Sequence, residues 1–335
     1  MRISVVVVAF RSGEALPRCL RSIRGQAPEV EVIVVDNGGG AGEAVAAEGR
    51  EQVRLIAPGK NLGFAGGCNL GAAEANGDVL VFLNPDTVVA PGALQQLAKM
   101  VESPDVGIAM ARLRLLDRPE LLNSSGTVVH ICGLAWAGGY GEPADSVDAV
   151  KDVAAPSGAA MAIRRALFKE LGGFTSELFA YLEDVELGWR ARIHGLRVVV
   201  DPDADVYHDY EFGRHPDKLA LLERNRLVFV LSAYSLRLIL LLAPVLVIFE
   251  LGMLAVATRQ RWLRGKLRGW SWCVAHAGWL GRHRRQTQEL RRVGDRELAK
   301  LLTPIADPKM MPLPGGASFV NRAFAVYWAL VQRAL

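Results

Sequence analysis

Short apolar runs alternate with helical stretches over the first hundred residues. Ile3 to Phe10 is a run of buried-strand type. Glu14 to Arg24 carries Leu16, Leu20 and Ile23 on one face and predicts a helix. Val30 to Val35 predicts a second strand, ending in Asp36-Asn37 and a glycine cluster. Val53 to Ala57 predicts a third strand and Ala65 to Ala75 a helix. Val79 to Leu83 predicts a fourth strand, ending in Asn84-Pro85-Asp86. Pro91 suits the first turn of the next helix. Strands and helices alternating at this spacing imply βαβ units and a mostly parallel sheet. Such sheets bind ligands beyond the carboxyl ends of their strands, where Asp36 and Asp86 both fall.

From Arg112 to Val153 the pattern weakens, and glycines with Trp136 and Tyr140 predict strands and a variable loop. Ser157 to Ile163 predicts a strand, Glu183 to His194 a short helix, and Val198 to Val200 a strand. Asp203 to His208 closes this body. Leu236 to Ala257 is different: almost continuously apolar, interrupted by Pro244 and Glu250. As a helix it is about 33 Å long, enough to cross a bilayer. A single crossing would leave Arg259, Arg261, Arg264, Lys266, Arg268, Arg282, Arg284 and Arg285 outside and the preceding body inside, against the positive-inside bias. A helix lying in the inner leaflet, or dipping back out of it, removes the conflict. Trp262, Trp270, Trp272 and Trp279 suit a headgroup region. The alternative is a buried core helix beside a solvated basic one. The expected division is a catalytic domain over 1–230 and a helical, apolar and basic membrane-associated region over 231–335.

Composition sharpens this picture. Of 335 residues, 51% are hydrophobic and 22% charged, which allows a large core and argues against wholesale disorder. The formal charge is only +4, yet basic residues crowd between Arg259 and Arg296. Such a segment favours an anionic partner. Its tryptophans lie beside a long apolar helix, so the expected partner is lipid and not nucleic acid. Cys19, Cys68, Cys132 and Cys273 have neither zinc nor redox spacing and read as packing residues of a reduced compartment. Met1-Arg2 leads straight into a β-branched run too short for a leader's apolar core, so no secretory leader is expected.

Several residue groups suggest chemistry. Asp36 can accept hydrogen bonds from a base or ribose, although Asp-Asn-Gly is also common turn chemistry. The run Lys60 to Asn69 holds Gly63, Gly66 and Gly67, which allow close backbone approach. A helix starting near Ala65 would offer amides to phosphate. This spacing fits neither the Rossmann fingerprint nor the P-loop. Asp86 can hold a hard divalent ion that neutralises a diphosphate, since such ions need only one or two protein carboxylates beside phosphate oxygens. Glu183-Asp184 opens a helix, as capping acids do, and can also supply a general base. His208 can be a metal ligand or phosphate partner, and Arg224-Asn225-Arg226 can reach phosphates or form a solvated basic face.

Taken in order, these residues resemble the family 2 glycosyltransferases of the GT-A fold, and within them the bacterial rhamnosyltransferase-like branch. The matching residues are Val5 to Phe10, Val34 to Asn37, Asn61 to Asn69, Leu83 to Asp86, Gly158 to Arg164, Gly172-Gly173-Phe174, Phe179 to Asp184 and Arg224-Asn225, collinear from about Met1 to Arg226. The resemblance implies an α/β nucleotide-sugar-binding fold with a mostly parallel mixed sheet flanked by helices. It implies a hexosyltransferase that moves a sugar, with inversion, from a nucleotide-diphosphate sugar to a lipid-linked or cell-envelope glycan acceptor. dTDP-rhamnose is the favoured donor.

Carried over by position, the resemblance assigns Asp36 to the nucleobase and ribose and Asn61 to Asn69, with Gly63, Gly66 and Asn69, to the donor pocket. Ala9, Phe10, Arg11, Asn84 and Arg224 complete that donor side. Asp86 and His208 are assigned to Mg²⁺ or Mn²⁺, and Asp184 to the catalytic base with Glu183 behind it. Two positions depart from the pattern: Asn84 stands where an acid is frequent, and Arg11 where an asparagine is common. The expected location is the cytoplasmic face of the bacterial inner membrane, in cell envelope biogenesis, with the protein peripheral, monotopic or re-entrant. Two alternatives remain at this point: a nucleotidyltransferase, which would carry a basic glycine-rich loop after the first strand where Ala9 to Gly13 stand, and a non-catalytic membrane scaffold of the same fold.

Overall fold

The computed structural model describes residues 1–24, 26, 30–48, 53–209, 218–307 and 317–335. The predicted alternation is present as β1 (Ile3–Ala9), α1 (Ala15–Arg24), β2 (Glu31–Asp36), α2 (Ala41–Glu48), β3 (Val53–Ile56), α3 (Gly63–Ala73) and β4 (Val79–Leu83). There follow β5 (Thr87–Val89), α4 (Ala93–Met100), β6 (Val106–Leu115), β7 (Leu122–Ser124), β8 (Thr127–His130), β9 (Ala135–Ala137), β10 (Lys151–Asp152), β11 (Ala160–Arg164), α5 (Arg165–Glu170), α6 (Glu183–Ile193) and β12 (Arg197–His208). The last elements are α7 (Lys218–Ala233), α8 (Leu236–Arg259), α9 (Leu263–Ala275), α10 (Ala277–Glu289), α11 (Asp295–Ala299), β13 (Leu302–Thr303) and α12 (Ala317–Ala334).

Two compact units result. The first comprises Met1–Thr127, Ala137–Ala191 and the chain from Leu196 through β12. The second comprises Val128–Trp136, Arg192–Gly195 and the helices from α7 onward.

The first unit is built on one sheet whose strands run in the order β10-β12-β6-β11-β4-β1-β2-β3, with β5 beside β12 and β7 beside β6. β1 is parallel to β2 and β4, β2 to β3, and β6 to β12, whereas β11 runs antiparallel between β4 and β6. β1 and β4 are buried along their whole length, as continuous apolar runs in a covered sheet should be. α3 lies against β1 so closely that a methyl group at Gly71 would come within 2.4 Å of Val6 Cγ1, and one at Gly67 within 2.7 Å of Val8 Cγ1.

Two sequence expectations change here. The long β6 begins six residues upstream of the stretch read as weakly patterned. Val198 to Val200 and Asp203 to His208 are one strand, its register broken between Asp201 and Asp205 around Pro202.

In the second unit, α7 packs against α9 and α10. Its C-terminal carbonyls are capped from α10 and just beyond: Arg284 donates to Tyr234 O at 2.8 Å, Gln288 to Ser232 O at 2.7 Å and Arg291 to Ala233 O at 3.0 Å. Glu223, Arg226, Glu250 and Lys266 form a buried ion cluster joining α7, α8 and α9. α8 buries only Leu238, Leu242, Val245 and Ala257, so among the described residues it is not a core helix.

Candidate active site

The carboxyl ends of the parallel strands meet at one edge. Ala9 stands opposite Asp36, and Leu83 opposite Ala160 where β11 begins. β12 and β6 end at the same edge, with His208 opposite both Leu115 and Thr87.

The turn after β4 is pinned on both sides. Asn84 N donates to Ala159 O at 3.0 Å, Thr87 Oγ1 to Asn84 O at 2.7 Å, and Asp209 N to Asp86 O at 3.0 Å. These bonds hold Asp86 so that its Oδ1 lies 3.3 Å from His208 Nε2. His208 is buried, and its Nδ1 lies 3.0 Å from Asn123 Oδ1. An amide oxygen can only accept, so Nδ1 carries a hydrogen, and Nε2 is the ring nitrogen turned towards Asp86. The Asn84 amide, 3.4 Å from Nε2, agrees with that tautomer. An imidazole nitrogen and a carboxylate oxygen at this separation are donor types that a divalent cation could share. Among the described residues no cluster of three or more His, Cys, Asp or Glu could enclose a metal by itself. Asp86 and His208 fit a hard divalent ion that would take its remaining ligands from phosphate oxygens and water.

One residue along from that turn's anchor, Gly158 N donates to Asp184 Oδ2 at 2.7 Å, and Val185 N donates to Oδ1 at 2.8 Å. Asp184 is thus bonded to Gly158, while Asn84, two residues before Asp86, is bonded to the neighbouring Ala159. Glu183 is buried, and its Oε2 has no hydrogen-bond partner among the described residues. Burial raises Glu183 well above the ordinary carboxylate range, and the Asp184 charge adds to it. Burial also raises Asp184, opposed by the two backbone N–H bonds. Of this pair Glu183 is the better proton holder and Asp184 the better anion.

The segment before the acids is strained. Phe179, Tyr181 and Leu182 have φ of +64°, +70° and +64°, left-handed values that cost side-chain-bearing residues energy. Phe179 O accepts from Ala65 N at 3.1 Å, and only a glycine fits at 63, where a Cβ would meet that oxygen at 2.3 Å. The aromatic rings of Phe64, Phe82, Phe168 and Phe174 pack together behind it.

The expected donor residues divide. Ala9, Phe10, Arg11 and Asp36 share the strand edge. Phe10 is exposed, and Arg11, at φ +52°, stacks over its ring. Asp36 accepts from Gly38 N and Ala41 N, so it also starts α2. Asn61 Oδ1 accepts from Gly63 N at 2.9 Å, and Asn37 Oδ1 from Leu62 N at 3.4 Å. With Ala65 bonded to Phe179, these early α3 amides are engaged within the chain instead of being open to phosphate. Gly66 would bring a Cβ within 3.0 Å of Leu62 Cβ, and Gly67 and Gly71 press α3 onto β1. These three allow close packing. Asn69 bonds Phe174 at both its backbone groups and Ser176 Oγ. Arg224 belongs to the second unit, where it lies over the Trp272 ring.

Three contributors escaped the sequence reading. Asn37 also donates to Gly63 O at 2.7 Å and clamps the loop before α3. Its place directly after a strand-end acid was the available signal. Asn123 orients His208 from an irregular stretch that carries no local signal. The Gly158 amide is a backbone group, invisible to side-chain reasoning.

The sheet order and the strand-edge acids define a GT-A fold. A family model described as glycosyltransferase like family 2 matches residues 1–228, and the chain belongs to that family. It is a glycosyltransferase of the hexosyl-transferring kind, which sets aside the nucleotidyltransferase and scaffold alternatives. An N-acetylglucosaminyl-diphospho-decaprenol L-rhamnosyltransferase from Mycobacterium tuberculosis is 28% identical over 264 residues, spanning 69% of this chain and 84% of that protein. This relative agrees with the branch that the motifs resemble.

Among solved structures, GalNAc-T7 with UDP, GalNAc and Mn²⁺ matches with a TM-score of 0.59 and 18% identity, over 69% of this chain and 48% of that one. The mannosyltransferase PcManGT from Pyrobaculum calidifontis, in complex with GDP-Man and Mn²⁺, matches with a TM-score of 0.52 and 16% identity, over 99% and 86%. At these identities the likeness is one of fold.

Proposed function

We propose that this glycosyltransferase transfers a sugar, with inversion, from a nucleotide-diphosphate sugar to a lipid-linked or cell-envelope glycan acceptor. dTDP-rhamnose is the favoured donor. The observation that carries the reading is the pairing of Asp86–His208 and Asp184 around Gly158-Ala159. Asn84 bonds Ala159 and Asp184 bonds Gly158, which supports reading a cation-binding pair and a base beside one another.

Asp36, Ala9, Phe10 and Arg11 lie where a nucleoside would enter past β1 and β2. Asp86 and His208 would hold Mg²⁺ or Mn²⁺ beside the diphosphate. A bound divalent ion supplies Lewis-acid stabilisation of the charge that builds on the leaving diphosphate. Asp184 takes the proton of the acceptor hydroxyl. Its two backbone hydrogen bonds fix the carboxylate, and burial raises its basicity. Burial makes Glu183 hold its proton more tightly than Asp184, which limits repulsion between the two. A single displacement needs no covalent sugar–enzyme intermediate, in keeping with one base and no second carboxylate assigned as nucleophile.

We assign 1–230 to catalysis and 231–335 to association with the cytoplasmic face of the bacterial inner membrane. The support is the apolar, largely exposed α8 and the basic run after it; the decaprenol-linked substrate named for the mycobacterial relative leans the same way. A donor screen with purified protein and lipid acceptors, following nucleoside diphosphate release, tests the reading. Release that depends on acceptor and on divalent ion supports it, and no turnover with any nucleotide-sugar overturns it.

A further inference from the structure

The second unit leaves two helices with apolar faces that no described residue covers. On α8, Leu236, Leu240, Val247, Ile248 and Leu251 are 58% to 65% exposed. On α12, Phe319, Val326 and Leu330 are 56% to 77% exposed, while Phe324, Trp328 and Val331 face inward. The helices lie side by side and antiparallel: Tyr327 OH donates to Leu241 O at 2.7 Å, and Arg237 donates to Ala334 O. The two faces thus adjoin.

Basic residues predominate around them. α12 has no acid and carries Arg322 and Arg333 towards its two ends. From Leu251 to Gln288 there are eight basic residues and no acid. Arg259, Arg261, Arg264, Arg268, Arg282 and Arg285 in that run are exposed. An apolar face in basic surroundings matches the boundary between acyl chains and anionic headgroups. A symmetric contact with a second copy would set arginine against arginine.

Glu250 decides the orientation. It lies past the middle of α8, and its carboxylate is bound by Arg226 and by Lys266, the latter at 2.8 Å. Both cations also bind Glu223, at 2.6 and 2.5 Å, and Arg226 donates to Cys132 O at 2.9 Å. One side of α8 is therefore fastened to α7 and α9. A crossing α8 would draw the exposed Arg264 and Arg268 of α9 into hydrocarbon. We infer that α8 and α12 form one lipid-binding face that lies flat in a single leaflet, with both ends of α8 on the same side of the membrane. This rests on the membrane association proposed above and adds its geometry and its second helix.

Flotation of the full chain with phosphatidylglycerol-containing vesicles tests both levels. Wild type floats, and floats less with phosphatidylcholine alone. Val326→Asp with Leu330→Asp, or Val247→Asp with Leu251→Asp, lowers the bound fraction about tenfold or more at an unchanged melting temperature. In a Cys273→Ser background, cysteines at Leu231 and Gln260, which flank α8, both react with an impermeant maleimide added outside. Failure of the wild type to float sinks membrane association itself, and a dimer broken by the same substitutions would assign the face to a second copy. Flotation that the α12 pair leaves unchanged, or a flanking cysteine protected until detergent is added, overturns the flat two-helix face while association stands.

Discussion

Gly158 donates its backbone N–H to Oδ2 of Asp184 at 2.7 Å, and this bond seats the acid at the edge of β11, one residue from the carbonyl that anchors Asn84. A backbone donor cannot be removed by side-chain change, so the acid itself is the point to test. Asp184→Asn should reduce transfer by about 10²- to 10⁴-fold while leaving the donor dissociation constant within a factor of two or so. Acceptor-dependent diphosphate release and donor titration measure the two effects separately. A variant with full turnover removes Asp184 from the role.

The raised acids carry a cost that depends on pH. In acid, folded and unfolded chains both hold the protons of Glu183 and Asp184. As pH rises through the ordinary carboxylate range the unfolded chain releases them first, so stability contributed here falls with rising pH until the folded pair ionises. Glu183→Gln should therefore melt higher than wild type near neutrality and approach it in acid. Melting curves across pH check this, and a gap independent of pH contradicts it.

Asn123 touches no proposed substrate atom, yet it sets the His208 tautomer. Asn123→Ala should weaken Mn²⁺ binding by about 10- to 100-fold, and His208→Ala at least as much. Direct Mn²⁺ titration without acceptor separates this from turnover. Equal affinities in all three proteins would take His208 out of the metal role.

Packing of α3 on β1 is tight enough to measure. Gly71→Ala should cost about 1–3 kcal/mol, because its methyl would sit 2.4 Å from Val6 Cγ1. Gly281→Ala, in α10 with nothing within 4 Å of its Cβ, should add up to about 1 kcal/mol instead. Urea unfolding of the two variants should move in opposite directions.

Lys266→Met leaves Glu223 and Glu250 sharing only Arg226 in a buried setting. A loss of about 3 kcal/mol is expected. Denaturant midpoints measure it, and an unchanged midpoint would show that Arg226 alone neutralises both acids.

The alternation of β1 through β4 was legible because covered parallel strands leave long apolar runs. Asp36 and Asp86 past strand ends, and Asp184 at the start of α6, were legible because residue type and order survive in one dimension. Other features were not. α2 starts in a glycine-rich stretch with little amphipathic pattern, and β12 was read as two pieces because Pro202 interrupts a strand that resumes after a register shift. That Gly67 and Gly71 press α3 onto Val8 and Val6 was not legible, because sequence does not show which surface a glycine approaches. Asn123 becomes visible only when β6 and β12 bring distant segments together.

Phe179, Tyr181 and Leu182 all hold left-handed backbone immediately ahead of the acid pair. Valine, isoleucine and threonine crowd that conformation most, so drift towards branched side chains is closed at these three positions. Glycine or asparagine there would relax the loop and loosen its grip on Ala65. Natural variation in this short stretch should therefore be narrow in shape even where it is broad in polarity.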